Sequence, residues 1–134
     1  MNVKLFFVYL VLLLQVSCNG TGVRGKVASL DESIKQYNIA LRWAQHEKLD
    51  SYHVTMDGER NRIDRDAFKN IRITGYEITS KELNDDMNEA IVNGVISYYR
   101  NDRGTLSTKP YEQSWWYDED IKRWFLANDL PRLD

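Results

Sequence analysis

The residue order predicts an α+β domain in which N-terminal helices pack on a curved antiparallel β-meander. Two changes of pattern carry this. Apolar residues recur at helical intervals as far as Met56, whereas from Ile71 onward they alternate every second residue. Short polar turns then separate the strand-like stretches, so helices come first and neighbouring strands follow.

The first helix is expected to start at Ser29-Leu30-Asp31-Glu32, which has the form of a capping box. There the serine hydroxyl accepts from a first-turn N–H and the glutamate reaches back. Leu30, Ile34, Tyr37, Leu41 and Ala44 follow at intervals of four, three, four and three, giving one apolar face. A second helical piece continues through Leu49, Tyr52 and Met56 after a break near His46 to Lys48, and Asp57-Gly58-Glu59-Arg60-Asn61 ends it.

In the second half, Ile71-Arg72-Ile73-Thr74 and Tyr76-Glu77-Ile78-Thr79 alternate in opposite phases with Gly75 between them. A β-bulge at Gly75 would explain both the glycine and the change of face. Ala90 to Tyr99 reads as a second, more buried strand, closed by Asn101-Asp102-Arg103-Gly104. Thr105 to Tyr117 reads as a third, expected to be broken or bulged near Pro110 because proline cannot donate to a central ladder. Asp118-Glu119-Asp120 turns the chain, and Arg123-Trp124-Phe125-Leu126 returns as a fourth strand.

The chain has 134 residues, 18 basic and 20 acidic ones, interspersed, so no basic stripe exists to neutralise a run of phosphates and nucleic acid is set aside as a partner. At 43% hydrophobic the chain is too apolar for intrinsic disorder. Cys18 is the one cysteine, which excludes an internal disulfide. No cluster has the spacing of a zinc or EF-hand site: Asp85-Asp86 and Asp118-Glu119-Asp120 read as turn residues, and neither a metal nor a cofactor is implied.

The amino-terminal stretch has Lys4 followed by an uncharged apolar run from Leu5 to Leu14. As a helix this run covers about half of a ~30 Å hydrocarbon core, which suits a signal peptide rather than a permanent span. Leu14-Gln15-Val16-Ser17-Cys18-Asn19-Gly20 resembles a bacterial lipobox, with Gln15 where that family usually has leucine. The resemblance implies a signal peptide over 1–17, lipid on Cys18, and, since Asn19 rather than aspartate follows, an outer-membrane location facing the periplasm. Residues 18–28 then read as lipidated cysteine and flexible tether, and 29–134 as the folded domain. The alternative is an ordinary secretory signal cut after Cys18 or Gly20.

Ala40-Leu41-Arg42-Trp43, Gly75-Tyr76, Trp116-Tyr117-Asp118, Arg123-Trp124-Phe125-Leu126 and Leu130-Pro131 together resemble small bacterial lipoproteins with an NTF2-like, or cystatin-like, domain. That resemblance implies a cone-shaped sheet with a pocket at its mouth, for which His53, Asp57 and Tyr76 are candidate residues. His46 lies seven residues before His53 and could share its helical face. Trp115 and Trp116 are consecutive in a strand and must point to opposite sides of the sheet. Tyr111, Trp115 and Tyr117 share one phase, so the four aromatics Tyr111, Trp115, Trp116 and Tyr117 mark a candidate ligand or interface surface.

The expected function is a lipid-anchored binding or accessory module of the cell envelope, self-associating or meeting another envelope protein. The alternatives are a small NTF2-like periplasmic enzyme and a soluble secreted protein.

Overall fold

A computed structural model describes residues 22–133. The expected signal peptide over 1–17, Cys18 and the start of the expected tether lie outside the described residues. The first helix, α1, runs over Val23–Arg42 and starts six residues before the expected capping box. Ser29 therefore sits inside it, its hydroxyl donating to Lys26 O at 2.8 Å rather than capping a first turn. The early turns are held from outside. The Trp124 indole N–H is shared between Lys26 O and Ser29 Oγ, while the Lys26 ammonium lies over the Tyr117 ring and pairs with Glu119. These contacts join residues about a hundred positions apart, so local sequence gave a tether where tertiary packing makes helix.

At its other end α1 closes with a Schellman motif. Gln45 N–H donates to Ala40 O and Ala44 N–H to Leu41 O, with Ala44 in the left-handed region at φ 51°. This moves Ala44 off the apolar face, so the buried positions are Leu30, Ile34, Tyr37, Ala40 and Leu41. Helix α2, His46–Tyr52, folds back and buries Leu49 and Tyr52, while Met56 lies exposed in the following turn.

Four strands follow: β1 Ile71–Leu83, β2 Glu89–Arg100, β3 Leu106–Asp118 and β4 Arg123–Leu126. They pair antiparallel in chain order. The bulge expected at Gly75 is present as a register shift between Ile73 and Gly75, which leaves Thr74 as the extra residue and turns Ile73 and Tyr76 to the same face. A second shift falls between Ile78 and Ser80. Both bulges lie on the sheet's free edge, where they hinder pairing with another chain. No break occurs at Pro110, which pairs with Val95 in continuous register. Strand β4 reaches only Trp115 to Asp118 of its neighbour, so β3 is itself an edge at Pro110 and tolerates the missing donor.

The NTF2-like or cystatin-like cone is not formed. The sheet is open, with β1 and β4 at opposite edges, and β4 is a strand of only four residues. The space a cone would leave is filled: Leu30 and Tyr37 from α1 meet Val92, Ile96, Trp115 and Trp124 from the sheet, all at most 1% exposed. Two helices against one face of a four-stranded antiparallel sheet is the architecture.

Candidate functional site

Among the sequence candidates, the structure joins His53 and Tyr76 through two tyrosines that sequence patterns had not linked to them. His53 caps α2, and its backbone bridges to Leu126 of β4. The residue is 2% exposed. Nδ1 lies 3.1 Å from the Asn128 carbonyl, which can only accept, so that nitrogen carries the proton. Nε2 is then the acceptor for the Tyr37 hydroxyl at 2.7 Å, and Tyr37 in turn is 3.3 Å from the Tyr111 hydroxyl. Tyr76 completes the group by donating to Tyr111 O at 2.8 Å, its ring edge-on to that of Tyr111.

Burial sets the protonation of this chain. It pushes the phenols of Tyr37 and Tyr111 well above their usual range and that of Tyr76 up to about 12, while it lowers His53 below its ordinary value of 6.5. The imidazole is neutral with both nitrogens engaged. A base depressed in the fold binds its proton more readily in the unfolded chain, so acid favours unfolding as pH falls below about 6.5. Wild-type stability between pH 7 and 5 is therefore expected to fall more steeply than that of His53→Gln, by up to about 1.4 kcal/mol per pH unit. Urea midpoints across that range test this, and parallel profiles for the two proteins would refute it.

The aromatic row divides as the strand alternation requires. Tyr111 and Trp115 face the helices at 3% and 1% exposure and offer nothing to a partner. Trp115 packs edge-on against Tyr37 and Tyr52, and its indole N–H donates to the buried Gln113. Trp116 points to the other face, half-buried, tilted over Phe125 and bonded to Val54 O at 2.7 Å. Tyr117 is half-buried against Trp124. Asp57 is exposed in the turn that Thr55 and Glu59 close, away from the network. His46 is at the opposite end of α2 from His53, beside a separate void of about 90 Å³, with its Nδ1 buried and unpartnered. Among the described residues no group of three His, Cys, Asp or Glu could hold a metal ion.

Among the described residues a cleft of about 590 Å³ opens between segment 61–68, which ends in the 3-10 turn Asp66–Phe68, and segment 129–133, with His53 among its lining residues. Asn128 fixes one segment by continuing the β4 ladder with its side chain: Oδ1 accepts Ser114 N–H and Nδ2 donates to Glu112 O. Asp50 fixes the other, accepting Ile63 N–H at 2.8 Å and pairing with Arg65. Ile63, Phe68, Leu130 and Leu133 form its apolar lining, while Arg62, Asp64, Asp129 and Arg132 bring charge. Sequence reading missed these residues because they lie outside the long helices and strands whose apolar spacing can be read, Phe68 in a 3-10 helix of only three residues. The composition of Asn61-Arg62-Ile63-Asp64-Arg65 gives no sign that it will meet a tail some 65 positions later.

Comparison with family models, with curated proteins and with solved structures gave no match. The lipobox and lipoprotein resemblances therefore rest on the residues that suggested them.

Proposed function

We propose that this chain is a lipid-anchored binding module of the cell envelope, exported under a signal peptide over 1–17, held by lipid on Cys18, and binding through the cleft beside His53. The observation that carries the binding part is that the cleft combines an apolar lining with charged side chains, while the adjoining imidazole and phenols are committed to one another by hydrogen bonds. Such a lining suits ligand binding, and the imidazole and phenols beside it are not free for proton transfer.

The placement of the two ends supports the same reading. Cys18 precedes Val23 by five residues, a reach of at most about 18 Å. The start of α1 is fastened to the β3–β4 turn by Lys26 and Glu119. Tyr37, the contact of His53, lies about 21 Å further along the helix at ~1.5 Å per residue. A lipid on Cys18 would thus hold the hairpin end toward the bilayer and leave the cleft at a distance from it. Each buried CH₂ of the acyl chains contributes about 0.8 kcal/mol to anchoring.

Metabolic labelling with a fatty acid tests the anchor. Wild-type chain is expected to take up label and fractionate with membranes, and Cys18→Ala to lose both, since no other thiol is present. Label retained by Cys18→Ala, or a mature N-terminus beyond residue 18, would overturn it.

A further inference from the structure

We infer that the cleft takes an apolar ligand bearing a carboxylate, held by the guanidinium groups of Arg62 and Arg132; this rests on the reading of the cleft as the binding site. Four charged side chains line it, and their hydrogen bonding is unequal. Asp64 Oδ1 accepts the backbone N–H groups of Asp66 and Ala67, and Asp129 Oδ1 accepts the Asn61 amide. The arginines are not so engaged. Among the described residues neither Arg62 nor Arg132 has a carboxylate partner, whereas neighbouring Arg65 is paired with Asp50.

A guanidinium presents its N–H donors in a planar fork that matches the two oxygens of a carboxylate. Here the forks belong to the two segments that bound the cleft, and Ile63, Phe68, Leu130 and Leu133 lie in the same lining to receive an apolar body. The two aspartates bring the lining to neutrality, because His53 is uncharged, so a monoanion suits it better than a dianion such as phosphate. A volume of about 590 Å³ is of the size that small-molecule sites commonly have.

Two probes with one apolar body and opposite charges test the assignment: 3-phenylpropionate and 3-phenylpropylamine. The protein is the mature chain, residues 18–134 with Cys18→Ser so that no lipid is attached, followed by backbone amide NMR. The carboxylate is expected to shift the amides of Ile63, Asp64, Leu130 and Leu133, with the amine at least about tenfold weaker. Arg62→Gln and Arg132→Gln, both at exposed positions, should each weaken the carboxylate by about tenfold while leaving the amide spectrum of the sheet unchanged. Equal or tighter binding of the amine, or unchanged carboxylate affinity in both variants, would overturn the ligand class and leave the cleft as a binding site. Failure of both probes to shift those amides would overturn the class and remove the cleft from the proposed function as well.

Discussion

Trp115→Ala is expected to destabilise the domain by about 3–5 kcal/mol, the range for truncating a buried large aromatic. The side chain is 1% exposed and packs edge-on against Tyr37 and Tyr52 with ring centroids 5.7 and 5.8 Å away, so it joins both helices to the sheet. Its loss leaves a cavity between those layers. It also strips the fully buried Gln113 Oε1 of the indole N–H that it accepts at 3.0 Å, which adds the cost of an unsatisfied buried acceptor. The adjacent Trp116→Ala should cost about 1–2 kcal/mol, since that ring is half-buried and loses the Phe125 contact and one bond to Val54 O. Urea unfolding of the two variants at constant m-value measures the difference. Equal losses would contradict the one-sided packing of the sheet.

What the sequence made legible follows from interaction range. The helical spacing of Leu30, Ile34, Tyr37 and Leu41 and the phase reversal across Gly75 are properties of neighbouring residues, and both reappear as a buried helix face and a bulge. The opposition of Trp115 and Trp116 follows from strand geometry alone. By contrast, the start of α1 depends on Trp124 and Glu119, and the absence of a cone depends on how far β4 extends along β3. No local pattern encodes either.

The candidate site was less legible for the same reason. His53 and Tyr76 could be named as pocket candidates, yet their relation runs through Tyr37, which local spacing marked only as an apolar-face residue, and Tyr111, which it assigned to a candidate interface surface instead. A hydrogen-bonded histidine and a pocket histidine look identical in sequence. The partners decide: the Asn128 carbonyl fixes the tautomer, and Asn128 is positioned by its own side-chain ladder to β3. The cleft depends on two aperiodic segments meeting, and aperiodic segments carry no spacing from which a contact could be read.

Glycine requirements show the same separation, and they lead to the second large effect: Gly94→Ala should cost about 2–3 kcal/mol, whereas Gly75→Ala should be nearly neutral. Sequence points to Gly75, since the apolar phase changes there, but a Cβ at that position would meet nothing within 4 Å and its backbone lies outside the left-handed region. The residue that must be small is Gly94 on β2. There a Cβ would lie 2.5 Å from the Glu77 carbonyl oxygen and 2.5 Å from Tyr76 Cζ. The Tyr76 ring crosses over Gly94 to deliver its hydroxyl to Tyr111 O, two strands away, at 2.8 Å. A methyl group must therefore both part β1 from β2 at the Glu77 carbonyl and lift the ring, and lifting it breaks that bond. In the double variant Gly94→Ala, Tyr76→Ala the ring is already gone, so the alanine should cost less there than in wild type, by the coupling that a double-mutant cycle reads. Chemical unfolding of the four proteins measures it. Additive losses would show that the Glu77 backbone, and not the tyrosine lying across the glycine, sets the requirement.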